Sequence, residues 1–131
     1  MTAFIDASVL VAILARESDY LEQNERVLSQ GRLLWSPVSR WEAIGGIARA
    51  TTYGDALSTE IVDAFAGESG FEMVPIGEAE ARIATEAHHR YGKGRHAAKL
   101  NMGDCFAYAC ARTNNATLLY KGDDFARTDL R

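Results

Sequence analysis

Cysteine is nearly absent from this chain. Only Cys105 and Cys110 occur in its 131 residues, five apart within one predicted helix, and no second Cys or His group at ligand spacing accompanies them. They read as small apolar core side chains of a protein kept reduced, not as a disulfide or zinc framework. No apolar run approaches the ~20 residues of a membrane-spanning helix. Residues 1–16 are apolar, but they have no basic leader and carry Asp6 and Ser8 inside the run. A signal peptide is therefore not expected, and a cytoplasmic location is. Net positive charge is missing too: the formal charge of −4 argues against a protein that coats nucleic acid generally. It leaves room for local contact with a polyanion, because a bound cation would neutralise part of that charge. Finally, no repeat, low-complexity tract or linker divides the chain. At 47% apolar residues, positions 1–131 form one domain, large enough to bury roughly two-thirds of its unfolded surface.

What is present is an alternation of strand-like and helix-like segments, the pattern of an α/β fold with a small parallel β-sheet flanked by helices. Predicted strands are residues 2–5, 33–35, 71–74 and 117–120. Predicted helices run from about Ser8 to Leu14 and over 20–29, 38–50, 56–65, 78–90 and 102–112. Ser36-Pro37 supplies an N-cap and the proline favoured at the first helical position for the helix over 38–50. Val38, Trp41 and Ile44 mark the predicted buried side of that helix, with Glu42 beside it. In the helix over 102–112 the spacing of Met102, Cys105, Phe106, Ala109 and Cys110 predicts the packed stripe.

Acidic residues stand where strands end or helices begin. Asp6 closes the first strand, Glu42 lies on the helix after the second, Asp104 opens the late helix, and Asp123 and Asp124 follow the last strand. Each has a structural explanation: Asp6 as a helix cap, Glu42 in a capping box with Ser39, Asp104 as a partner of the helix dipole, and Asp123 and Asp124 as turn residues. The Ser36-Pro37 start removes the purpose of the Ser39 box and leaves Glu42 in need of a partner. Ligands of open α/β sheets bind outside the carboxyl ends of the strands, which is where Asp6 falls. Carboxylates gathered there repel unless a hard divalent ion, Mg²⁺ or Mn²⁺, sits among them. The loop from His88 to Lys99 concentrates all three histidines with Arg90, Lys93, Arg95 and Lys99. Phosphate contact by Lys93, Arg95 and Lys99, and a merely solvated glycine-rich loop, are both open readings of it. The Gly-x-Gly within it lacks the preceding strand that a nucleotide fingerprint needs.

The segments FIDAS, SRWE, NMGDCFAYACA and LLYKGDDFARTD, in this order, together resemble PIN-domain ribonucleases of the bacterial VapC toxin type along essentially the whole chain. The resemblance implies a three-layer α/β/α fold and a cluster binding Mg²⁺ or Mn²⁺ through Asp6, Glu42, Asp104 and either Asp123 or Asp124. Ser8 would be the accompanying hydroxyl. It also implies hydrolysis of phosphodiester bonds in structured RNA such as transfer or ribosomal RNA, toxin homodimers, and silencing by a VapB-type antitoxin. The apolar part of such a partner is expected between the first helices and the helix over 38–50. Two other classes fit the residues less closely: a non-catalytic RNA- or peptide-binding domain with an acidic cleft, and a Mg²⁺-dependent phosphatase-like α/β domain. The haloacid-dehalogenase version of the latter wants a second Asp where Ser8 stands.

Overall fold

The computed structural model describes residues 1–94, 96–122 and 125–129; Arg95, Asp123 and Asp124 lie outside the described residues. Four short strands, β1 (Thr2–Ile5), β2 (Arg32–Trp35), β3 (Glu72–Met73) and β4 (Thr117–Leu119), form one sheet in the order β3-β2-β1-β4. Every pairing is parallel. Because strand side chains alternate between faces, Ala3 and Ile5 of β1 point into one core and Phe4 into the other. The first core joins the sheet to α1 (Ala7–Leu14), α3 (Pro37–Ala50) and α4 (Gly54–Ser69), and the second joins it to α5 (Glu78–Tyr91) and α6 (Met102–Thr113). The outcome is the expected helix–sheet–helix sandwich, with α2 (Tyr20–Leu28) packed beside α1.

Local signals place the elements. Asp6 caps α1 by accepting a hydrogen bond from the Ser8 backbone N–H. In α3, Ser36 Oγ accepts from the Ser39 N–H at 3.2 Å while Ser39 Oγ accepts from the Ser36 N–H at 2.8 Å. This reciprocal cap uses Ser39 and leaves Glu42 out, as the Ser36-Pro37 start implies. Helix α4 extends beyond its expected end at 65, stopping where Gly70 takes the left-handed conformation, φ 74°, which suits a residue without Cβ.

One expectation about helix faces is overturned, that for α3, and one departs at a single residue, that for α6. The buried residues of α3 are Ser39, Ala43 and Ile47, and Trp41 is 71% exposed. The reason is proximity: a Cβ at Gly46 would stand 2.6 Å from Val11 Cγ2, so α3 approaches α1 through its small side chains and turns its largest one outward. In α6, Met102 is likewise 61% exposed. The other expected residues do pack: Cys105, Ala109 and Cys110 are buried and Phe106 lies against the same core, joined by Gly103, Ala107, Tyr108 and Ala111. Both cysteines are buried and free.

Candidate metal centre and active site

Parallel pairing aligns the carboxyl ends of β1, β2 and β4, and an open pocket of about 670 Å³ lies beyond that rim. Asp6 and Ser8 line it from the end of β1 and the start of α1, Glu42 and Arg49 from α3, Asn101 and Asp104 from the head of α6, and Lys121 and Gly122 from the end of β4. Three of the acidic positions singled out in the sequence thus share one cavity. The fourth, Asp123 or Asp124, lies outside the described residues.

Each carboxylate is held separately. One Asp6 oxygen accepts from the Ser8 N–H at 3.0 Å and from Ser8 Oγ–H at 2.6 Å, and Ser8 Oγ in turn accepts the Lys121 backbone N–H at 2.9 Å. The cap therefore also ties β1 to the end of β4. Asp104 accepts the Asn101 N–H at 3.1 Å while Asn101 Oδ1 accepts the Asp104 N–H at 2.9 Å. Capping and lining the pocket are one and the same position for both aspartates. Glu42 is placed differently: its carboxylate rests against Gly103, so close that a Cβ there would overlap it. Burial first, then the charges of Asp6 and Asp104, push the Glu42 carboxyl up to about 7, with Arg49 pulling the other way.

Tethered in this way, the carboxylates stand near one another without closing on a common point. Among the described residues no three Asp, Glu, His or Cys side chains converge tightly enough to form a ligand set. The donor set nevertheless suits a hard divalent cation: all its atoms are carboxylate oxygens, its charges repel, and a cation would relieve that repulsion. Asp6, Glu42 and Asp104 are the residues that would hold it, with Ser8 and Asn101 fixing the two aspartates from behind.

Several lining residues were not anticipated. Lys121 donates to Glu17 at 2.5 Å and to Asp19 at 2.8 Å, so its charge is already engaged by the turn between α1 and α2. Arg49 follows Glu42 by seven positions, a spacing that returns to the same helical face and was the available signal for it. Lys93 faces a separate, largely apolar cavity between α5 and α6, lined also by His88, Met102 and Phe106, which meets the acidic pocket at Asn101. Lys99 is exposed with a left-handed backbone, φ 55°. Among the described residues, no helix is long and apolar enough to cross a membrane.

Comparison with known proteins shows the family and the fold. The family model described as "PIN domain" matches residues 3–130. A VapC ribonuclease of Rhizobium meliloti is 40% identical, covering 98% of this chain and 99% of its own length. Ribonuclease VapC30 of Mycobacterium tuberculosis is 35% identical over 96% of this chain and 94% of its own. Among solved structures, the Mycobacterium tuberculosis toxin VapC20, described as cleaving the sarcin-ricin loop, superposes with a TM-score of 0.80 at 14% identity, covering 98% of this chain and 96% of its own. VapBC2 of Rickettsia felis, solved on a promoter DNA fragment, gives a TM-score of 0.72 at 16% identity, covering 98% of this chain and 94% of its own.

Proposed function

The chain belongs to the PIN-domain family and is a ribonuclease of the VapC toxin type, and from that premise we propose that its acidic pocket hydrolyses RNA with Mg²⁺ or Mn²⁺ held by Asp6, Glu42 and Asp104. The observation that carries the assignment is the meeting of these carboxylates, from three separate elements, in one pocket at the carboxyl rim, where Glu42 is pushed up to about 7. When bound, a divalent cation supplies neutralisation of the phosphodiester charge and acidification of the attacking water. The chain's own part is positional. Ser8 fixes Asp6, Asn101 fixes Asp104, and the bare Gly103 leaves room for Glu42. Asp123 or Asp124 completes the set; the pocket-lining Gly122 precedes them directly in the chain, which supports this.

Lys93, Arg95 and Lys99 grip the RNA backbone on this reading. Support comes from the exposure of Lys93 and Lys99 and from the cavity of Lys93 adjoining the acidic pocket; Arg95 lies outside the described residues. The substrate is structured RNA, and the active form a homodimer, as in the resemblance to VapC toxins. A VapB-type antitoxin is the expected partner. Its apolar segment fits a groove of about 400 Å³ lined by Ile13, Leu14, Tyr20, Leu21 and Phe65. That groove runs from α1 and α2 to α4 instead of to α3, because α3 is pressed against α1 at Gly46.

The decisive test is RNA cleavage by purified protein with Mg²⁺ or Mn²⁺, with and without chelator, for the parent, Asp6→Asn and Asp104→Asn. Cleavage should require the cation and be lost in both variants while their circular dichroism stays native. A folded Asp104→Asn protein cutting at the parent rate would overturn the assignment.

A further inference from the structure

Helix α3 carries a second feature that metal binding does not use. Trp41, Gly45 and Arg49 recur at four-residue intervals and so share one stripe of the helix. Trp41, a large apolar side chain, faces solvent at 71% exposure. Among the described residues Arg49 has no hydrogen bond or ion pair, whereas Arg40 and Arg112 are paired to Asp63 and Asp129 at 2.8 and 2.7 Å. A Cβ on Gly45 would lie 3.2 Å from Arg49 Nη1. The guanidinium therefore folds back along the helix over a bare backbone, about one turn, ~5.4 Å, from the level of Trp41. Trp41, Gly45 and Arg49 line a cleft of about 530 Å³, closed on the far side by Asp55 and Thr59 of α4, and Glu42 and Arg49 belong both to it and to the acidic pocket.

We propose that this cleft is a nucleotide-binding subsite of the ribonuclease, in which an unpaired base, as in a loop of a structured RNA, stacks on Trp41 and the adjoining phosphate is held by Arg49. The inference rests on the ribonuclease reading and adds to it where the strand lies next to the cut. Three features favour RNA over a second copy of the chain. The cleft is continuous with the pocket through Glu42 and Arg49. Its guanidinium, with no hydrogen bond or ion pair among the described residues and only a through-space pull on Glu42, matches a phosphate, which accepts two parallel guanidinium hydrogen bonds. The flat indole offers a stacking face to any base. Gly45 lets the Arg49 guanidinium lie back along the helix toward Trp41, and Asp55 and Thr59 of the cleft are placed to meet base or ribose donors.

The test measures binding of a fluorescent single-stranded oligoribonucleotide of about eight nucleotides, within the length such sites cover, in the Asp104→Asn background. Adding Trp41→Ala should weaken binding roughly 5- to 150-fold, the range spanned by loss of one stacked base. Trp41→Phe should recover most of it. Arg49→Ala should lower the slope of log affinity against log salt by about 0.7, one phosphate contact on a single strand. Binding should also quench tryptophan emission, and the quench should vanish with Trp41→Ala, because the remaining Trp35 is buried. Parent-like affinity in Trp41→Ala with no quench in the parent overturns the subsite. So does a loss of affinity that appears only together with a change of oligomeric state in light scattering, which would make the stripe a contact between protein copies. If the parent cleaves RNA with metal and Trp41→Ala binds and cleaves equally, the subsite alone fails; if the parent neither binds nor cleaves, the ribonuclease reading fails with it.

Discussion

Gly103 shows how a residue without a side chain shapes this site. It stands beside Asp104, and its missing Cβ is the space the Glu42 carboxylate occupies. Gly103→Ala should displace Glu42 and lower Mn²⁺ affinity about 10- to 100-fold, the usual cost of disturbing the support of a metal ligand. The folded state should be kept, since Ala favours a helix over Gly. Electron paramagnetic resonance of free Mn²⁺ reads this directly, and unchanged affinity would remove Glu42 from the ligand set. Glu42 also sets a pH dependence. Its carboxyl is raised from 4.5 to about 7 in the fold, so between those values the unfolded chain has released a proton that the native state retains. Stability of the metal-free protein should therefore fall as pH rises through that window and level off above it. Glu42→Gln should flatten the profile in thermal melts, and an equally steep melt profile in that variant would assign the slope elsewhere.

At the scale of elements, α3 joins the two halves of the site, since it carries Glu42 and Arg49 and rests on α1. Ser36→Ala removes the cap that starts it and should cost about 1 kcal/mol, roughly 4 °C in Tm. Gly46→Ala forces a methyl toward Val11 and should cost ~1–3 kcal/mol by overpacking. Denaturant melts at constant slope check both; a neutral Gly46→Ala would mean that α1 and α3 can separate without loss. The positions of β1, β2 and β4 were legible because each holds a short apolar run that ends at a polar residue, whereas β3 is a two-residue strand containing Glu72. The helix face of α3 was less legible, and that of α6 departs only at Met102. Periodicity identifies an apolar stripe by side-chain size, whereas a close helix crossing selects small residues such as Ser39, Ala43 and Gly46 and leaves Trp41 outside.

For the molecule as a whole, the acidic pocket is a stabilising site waiting for charge. On the proposed reading Mg²⁺ or Mn²⁺ would bind the folded state and not the open chain, so at a hundred times its dissociation constant it should stabilise by about 2.7 kcal/mol. The increase in Tm should reverse with chelator and be absent in Asp6→Asn and Asp104→Asn. In metal-free buffer those variants should melt no lower than the parent, because each removes a like charge from beside Glu42. A parent Tm indifferent to both ions would contradict the proposed metal centre.

The sequence by itself determined what depends on neighbours along the chain. The strand ends at Asp6 and Trp35, the Ser36-Pro37 helix start and the position of Asp104 in the first turn of α6 follow from dihedral preference, capping and apolar runs, all short-ranged. Asp6 and Asp104 could be singled out because the end of a strand and the head of a helix are local features, and Glu42 because the Ser36-Pro37 start left its carboxylate without a capping role. Only the tertiary structure decided which groups surround them. The placement of β1 between β2 and β4 brings Lys121 to Ser8 and to Glu17 and Asp19. The close crossing of α1 and α3 turns Trp41 outward, and the contact of α3 with α6 seats Glu42 on Gly103. These are encounters between residues tens of positions apart, and their geometry is set by strand order and by how closely two helices pack, neither of which a local pattern encodes.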